Sequence, residues 1–162
     1  MRTEGLTTAI EGVHDGEGRR IAIIFTRWND EIISEMRTAC LDTLKTQGVT
    51  KENIEEIIIP GAFEFPLTCT LAAESEKFDA VIALGCVIRG ETPHFDYVAG
   101  EAARGITSAS LSGNTPVIFG VLTVNTEEQA WQRAARDKDN KGAEFALAAL
   151  EMAAVTEKLK RV

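Results

Sequence analysis

Four short apolar runs, separated by segments of helical periodicity, constrain the fold of this 162-residue chain more than any other feature. They are Ile21 to Phe25, Ile54 to Ile59, Ala80 to Leu84 and Val117 to Val121. A continuous apolar run such as Ala80 to Leu84 marks a strand buried on both faces of a sheet, and Ile21 to Phe25 likewise reads as buried, while the other two read simply as strands. After the first run, Asn29 and Asp30 are candidate caps, and Ile33, Met36, Cys40 and Leu44 recur at helical spacing until Gly48. A second helix is expected from about Phe65 to Lys77, carrying Leu67, Leu71 and Ala72. A third is expected from Pro93 to about Leu111, with Gly113 as its stop. Thr126 and Gln129 form a capping box for a short fourth, and a last helix spans roughly Lys141 to Lys160. Alternation of this kind implies parallel pairing through crossovers, hence an α/β three-layer sandwich with a mainly parallel, flavodoxin-like sheet.

Residues 1–19 read as an N-terminal arm, flexible or docked elsewhere, and 20–162 as a single domain. A net charge of −8 and a pI near 4.8 argue against nucleic acid or an anionic membrane as partner. Cys40, Cys69 and Cys86 are odd in number and lack metal-ligand spacing, the pattern of reduced thiols in a cytoplasmic protein. Neither a signal peptide nor a membrane span is expected.

Ligands of such sheets bind at the carboxyl ends of the strands. Four segments therefore converge: Arg27 to Asn29, Gly61 to Glu64, Gly85 to His94, and the residues around Phe119 to Thr126. The third carries the densest chemistry. Thr92 is a plausible N-cap with Pro93 at the first helical position, and His94 follows where the helix dipole disfavours imidazolium. Gly90, Glu91 and Thr92 would offer backbone N–H groups to an anion. A surface histidine at a helix start fits the same residues.

Trp28, Phe63 and Phe119 have faces able to stack on a heteroaromatic ring, although each is also an ordinary core residue. Glu64 is either a hydrogen-bond acceptor for a ligand or a helix-start carboxylate. Arg133 is either a bidentate phosphate ligand or a solvated surface residue, and Lys141 is equally ambiguous. The dinucleotide, nucleoside-triphosphate and hydrolase-elbow fingerprints are absent. In the last helix, Ala143, Leu147, Leu150 and Ala154 form an apolar row, extended by Ala146, Ala149 and Ala153.

From Ile21 to Leu159 the chain resembles the lumazine synthase family. The resemblance rests on TRWN at 26–29, PGAFEFP at 60–66, ALGCVIRGETPHFDYVA at 83–99, PVIFGVLT at 116–123, EQAWQRA at 128–134, and NKGAE with LEMA near the end. It implies condensation of 5-amino-6-(D-ribitylamino)uracil with 3,4-dihydroxy-2-butanone 4-phosphate, a step of riboflavin biosynthesis, with no cofactor. His94 would transfer protons. Trp28, where many members have Phe, would stack on the pyrimidine. Ala62, Phe63, Glu64, Cys86, Val87 and Ile88 would line the pyrimidine and ribityl pocket. Glu91 and Thr92 would form the phosphate turn, Arg133 would pair with the phosphate near Lys141, and Phe119 would come from an adjacent subunit. A homopentamer or larger pentamer-based shell, with active sites between subunits and riboflavin synthase as a further partner, is implied as well. A flavin- or pterin-binding or shell-forming protein without catalysis is the alternative. Two departures stand out: Glu91 replaces a small residue, and ARDKDNKG from Ala135 replaces the common GTKAGNKG, counted from Ala135 to Gly142.

Overall fold

The computed structural model describes Gly12 and residues 14–160. Four strands, β1 (Ile21–Thr26), β2 (Ile54–Ile59), β3 (Ala80–Ile88) and β4 (Val117–Val124), form one sheet in the order β2-β1-β3-β4. Every pairing is parallel, including Ile24 with Ile57 and Ala83, and Ile88 with Val124. Five helices complete the fold: α1 (Asp30–Thr46), α2 (Phe65–Glu74), α3 (His94–Gly113), α4 (Glu127–Ala134) and α5 (Lys141–Lys160). Single 3₁₀ turns occupy Lys51–Asn53 and Ala62–Glu64. This is the expected three-layer α/β sandwich.

Strand alternation divides the core. Ala22, Ile24, Val81 and Ala83 pack with Phe65, Cys69, Ala102 and Ile106 of α2 and α3. Ile21, Ile23, Ile82 and Leu84 face Cys40 and Leu44 of α1 and Ala146, Ala149 and Leu150 of α5. A third cluster joins Ile33 and Met36 to Cys86, Leu122, Ala130 and Ala134, seating α4 beside α1. Each fully buried Ile, Leu or Val contributes about 1.5–3 kcal/mol, so the central strand β3 carries a large share of the stability.

Several boundaries differ from expectation. β3 continues through Gly85 to Ile88 rather than ending at Leu84, because β4 supplies ladder partners as far as Val124. α2 stops at Glu74 rather than Lys77, and Glu76 then adopts a left-handed φ of 60°. Leu67 and Leu71 point outward, whereas Ala72 is buried. Pro93, not Thr92, is the N-cap of α3, and the Thr92 hydroxyl instead accepts a 3.4 Å bond from the His94 N–H. Asn114, not Gly113, supplies the left-handed stop after α3. Gly113 serves packing instead: a Cβ there would lie 2.6 Å from the Ala73 carbonyl carbon and oxygen. On α5 the residues that meet the sheet are Ala146, Ala149 and Ala153 with Leu150 of the expected row, whereas Ala143, Leu147 and Ala154 of that row are only partly buried. The Thr126 capping bond is present at 3.2 Å, but the Gln129 side chain accepts from the Asn125 N–H instead of the cap's own.

Positions 1–11 and 13 of the expected 1–19 arm lie outside the described residues. Gly16 donates to the Gln47 carbonyl, and Arg19 pairs with Glu157 at 2.6 Å. Among the described residues, no helix is long and apolar enough to cross a membrane.

Candidate active site

The strand order reverses direction between β1 and β3, and a cleft of about 390 Å³ opens at their carboxyl ends. β1 contributes Thr26, with Trp28 and Asn29 just beyond it. The segment after β2 contributes Gly61, Ala62, Phe63 and Glu64, the end of β3 contributes Cys86, Val87 and Ile88, and α3 contributes His94 and Val98.

Asn29 fixes the floor. It has φ 58° and ψ 47°, a left-handed conformation that asparagine tolerates better than most residues. Its side chain makes no cap to α1; Nδ2 instead donates 2.9 Å to the Cys86 carbonyl, tying the start of α1 to β3. Gly61 shapes the mouth, since a Cβ there would stand 3.2 Å from Trp28 Cδ1 and 3.3 Å from Glu64 Oε2. The indole and the carboxylate thus sit close together over a residue without a side chain. Trp28 is 72% exposed and Phe63 57% exposed, leaving two aromatic faces open for stacking.

The sequence-predicted residues divide into two groups. Trp28, Ala62, Phe63, Glu64, Cys86, Val87, Ile88 and His94 share the cleft. Glu91 and Thr92 lie in the turn leading into His94, and the backbone N–H groups of Gly90, Glu91 and Thr92 have no partner among the described residues. Neighbouring Arg89 is anchored, with Nε donating 3.0 Å to Asn125 and the guanidinium 4.3 Å from the Phe95 ring centroid. Phe119 lies outside the cleft, on edge strand β4, where it lines a second hollow of about 530 Å³ with Arg89, Phe95, Gly100 and Thr123. Arg133 ends α4 with Nη1 donating 2.9 Å to the Gln129 carbonyl, and Lys141 opens α5 paired at 2.7 Å with Glu144. Thr26 and Val98 were not singled out in the sequence, where nothing distinguishes them from core residues.

The three thiols are protected by burial. Burial pushes Cys86 up to about 11, with Glu127 adding in the same direction, and Cys69 up to about 12. Cys40 is raised too, by burial and then by Glu56. The native state therefore retains protons that the unfolded chain releases above about pH 9. Stability from Cys86 is complete below that pH and is lost as pH rises toward about 11. Over this interval the decline in stability read by urea unfolding should be smaller by about 2 kcal/mol in Cys86→Ala than in the parent, the buried Cys69 and Cys40 supplying the remainder.

A family model for 6,7-dimethyl-8-ribityllumazine synthase matches residues 18–157. The chain belongs to this family. It is 48% identical over 151 residues to the 6,7-dimethyl-8-ribityllumazine synthase of Desulfatibacillum aliphaticivorans, an alignment covering 93% of this chain and 97% of that relative. The match to the lumazine synthase family takes in all four strands and the whole of the cleft.

Proposed function

We propose that this protein catalyses the lumazine-forming step of riboflavin biosynthesis in the cytoplasm. The reaction condenses 5-amino-6-(D-ribitylamino)uracil with 3,4-dihydroxy-2-butanone 4-phosphate. The amine attacks the ketone and water leaves as the imine forms. Orthophosphate is then eliminated, and ring closure with loss of a second water gives 6,7-dimethyl-8-ribityllumazine. The observation that carries this reading is the cleft itself: an aromatic-faced slot at the switch point of a parallel sheet, with a histidine on its wall.

In this reading Trp28 and Phe63 hold the planar pyrimidine, while Ala62, Glu64 and the backbone of Cys86, Val87 and Ile88 receive its polar edge and the ribityl chain. His94 moves protons during imine formation and phosphate loss. The free N–H groups around Glu91 and Thr92 cradle the phosphate at the start of α3. The Glu91 carboxylate opposes that anion, so the backbone carries the binding.

Arg133 and Phe119 lie away from the cleft of their own chain, which supports a site completed by a neighbouring copy. Leu67, Leu71 and Leu111 are 67%, 62% and 74% exposed on α2 and α3, consistent with burial in a homopentamer or a shell of pentamers. Riboflavin synthase, which would consume the product, is a candidate partner.

Mixing the two substrates with the protein should produce lumazine absorbance and stoichiometric phosphate. A protein that retains a yellow ligand yet forms no lumazine would refute the catalytic reading. Arg133→Ala should chiefly raise the KM for the four-carbon phosphate, by about tenfold or more if it removes a charge-assisted bond, with a smaller effect on kcat.

A further inference from the structure

We infer that Arg136 is a positioning residue for the phosphate grip. This inference rests on the proposed roles of Arg133 and Lys141. Those residues flank the connection 135–140 between α4 and α5, so the pose of that connection helps to set both cations.

Most of the connection folds back on itself. Ala135 donates to Trp131, Lys138 and Asn140 donate to the Ala135 carbonyl, and Asp139 donates to Gln132. The Gln132 side chain returns a bond to the Asp139 carboxylate at 3.2 Å. Asn140 then turns into α5 at a left-handed φ of 47°. None of these bonds reaches beyond the two helices being joined.

Arg136 makes the outward connection. Its backbone N–H donates 3.1 Å to Glu35 Oε1, and its guanidinium pairs with Asp42 at 2.5 Å. Among the described residues these are the only hydrogen bonds from 135–140 to any element other than α4 and α5. Glu35 and Asp42 are seven residues apart on α1 and so lie on one face two turns apart. The core seats Ala134 near Met36, and Gly142 passes against the Met36 backbone, so both ends of the connection are fixed by packing. Between those ends, a charged clip holds it against α1.

The test is a KM-against-kcat comparison on the full-length protein with both substrates. Arg136→Ala and Asp42→Asn should each raise the KM for 3,4-dihydroxy-2-butanone 4-phosphate about three- to fivefold. The KM for the pyrimidine and kcat should stay within about twofold, Arg136→Lys should recover part of the loss, and the double variant should be no worse than Arg136→Ala. An unchanged phosphate-substrate KM in Arg136→Ala, alongside a raised KM in Arg133→Ala, overturns the clip alone. An unchanged KM in Arg133→Ala as well overturns the assignment of the phosphate grip and this inference with it.

Discussion

Replacing His94 with alanine should slow lumazine formation under single-turnover conditions by roughly 10²- to 10⁴-fold, the usual contribution of a positioned acid–base group. Measurable activity should survive. In the proposed reaction, binding two reactive partners in one cleft would itself convert a bimolecular encounter into an effectively unimolecular one, and that contribution would stay with Trp28, Phe63 and the strand ends that line the cleft. The His94 side chain is exposed and the structure records no side-chain hydrogen bond for it, so the thermal midpoint should barely move. A substrate-saturated His94→Ala enzyme with wild-type single-turnover rates of absorbance change and phosphate release would remove histidine from the mechanism.

A large loss of stability is expected at Gly105 on α3. A Cβ there would meet the Pro66 ring and stand 2.8 Å from the Pro66 Cα, so the backbone of α2, rather than a flexible side chain, must yield. Alanine would gain about 1 kcal/mol of helix propensity while still colliding. Gly105→Val adds a stiff branched side chain, and overpacking of this kind should cost about 3 kcal/mol. For a chain of this size that corresponds to a fall of roughly 6–12 °C in Tm, readable by calorimetry or circular dichroism. The effect should reach the cleft, because Pro66 lies two residues beyond Glu64 and displacing it displaces Phe63 and Glu64. A Gly105→Val protein that keeps both its Tm and its KM for the pyrimidine would show that the two helices separate at no cost.

The sheet was legible in the sequence because four strand-length runs alternating with helical segments leave little alternative to parallel pairing, even though β2, on the edge, buries only Ile59. Their ends were less so. Gly85 resembles the start of a turn, and only the partner residues on β4 reveal that the strand continues to Ile88. Gly113 resembles a helix stop, yet its missing side chain is needed against Ala73 while Asn114 makes the turn. At the candidate site, the strand-end rule gathered Trp28, Phe63, Glu64, Cys86 and His94, since it depends only on topology. Asn29 was legible merely as a cap, because the bond from its side chain to the Cys86 carbonyl spans 57 positions of sequence. Arg133 also follows a strand toward the same end of the sheet, but the turn into α4 carries it away from the cleft, and Phe119 lies within edge strand β4, opposite Ala83.

The leucines left bare on α2 and α3 have a thermodynamic consequence. In the proposed pentamer, native chains are drawn off by association while unfolded chains are not, so mass action ties folding to the amount of protein present. The melting temperature would then be a property of the solution as much as of the chain, climbing with each dilution step reversed.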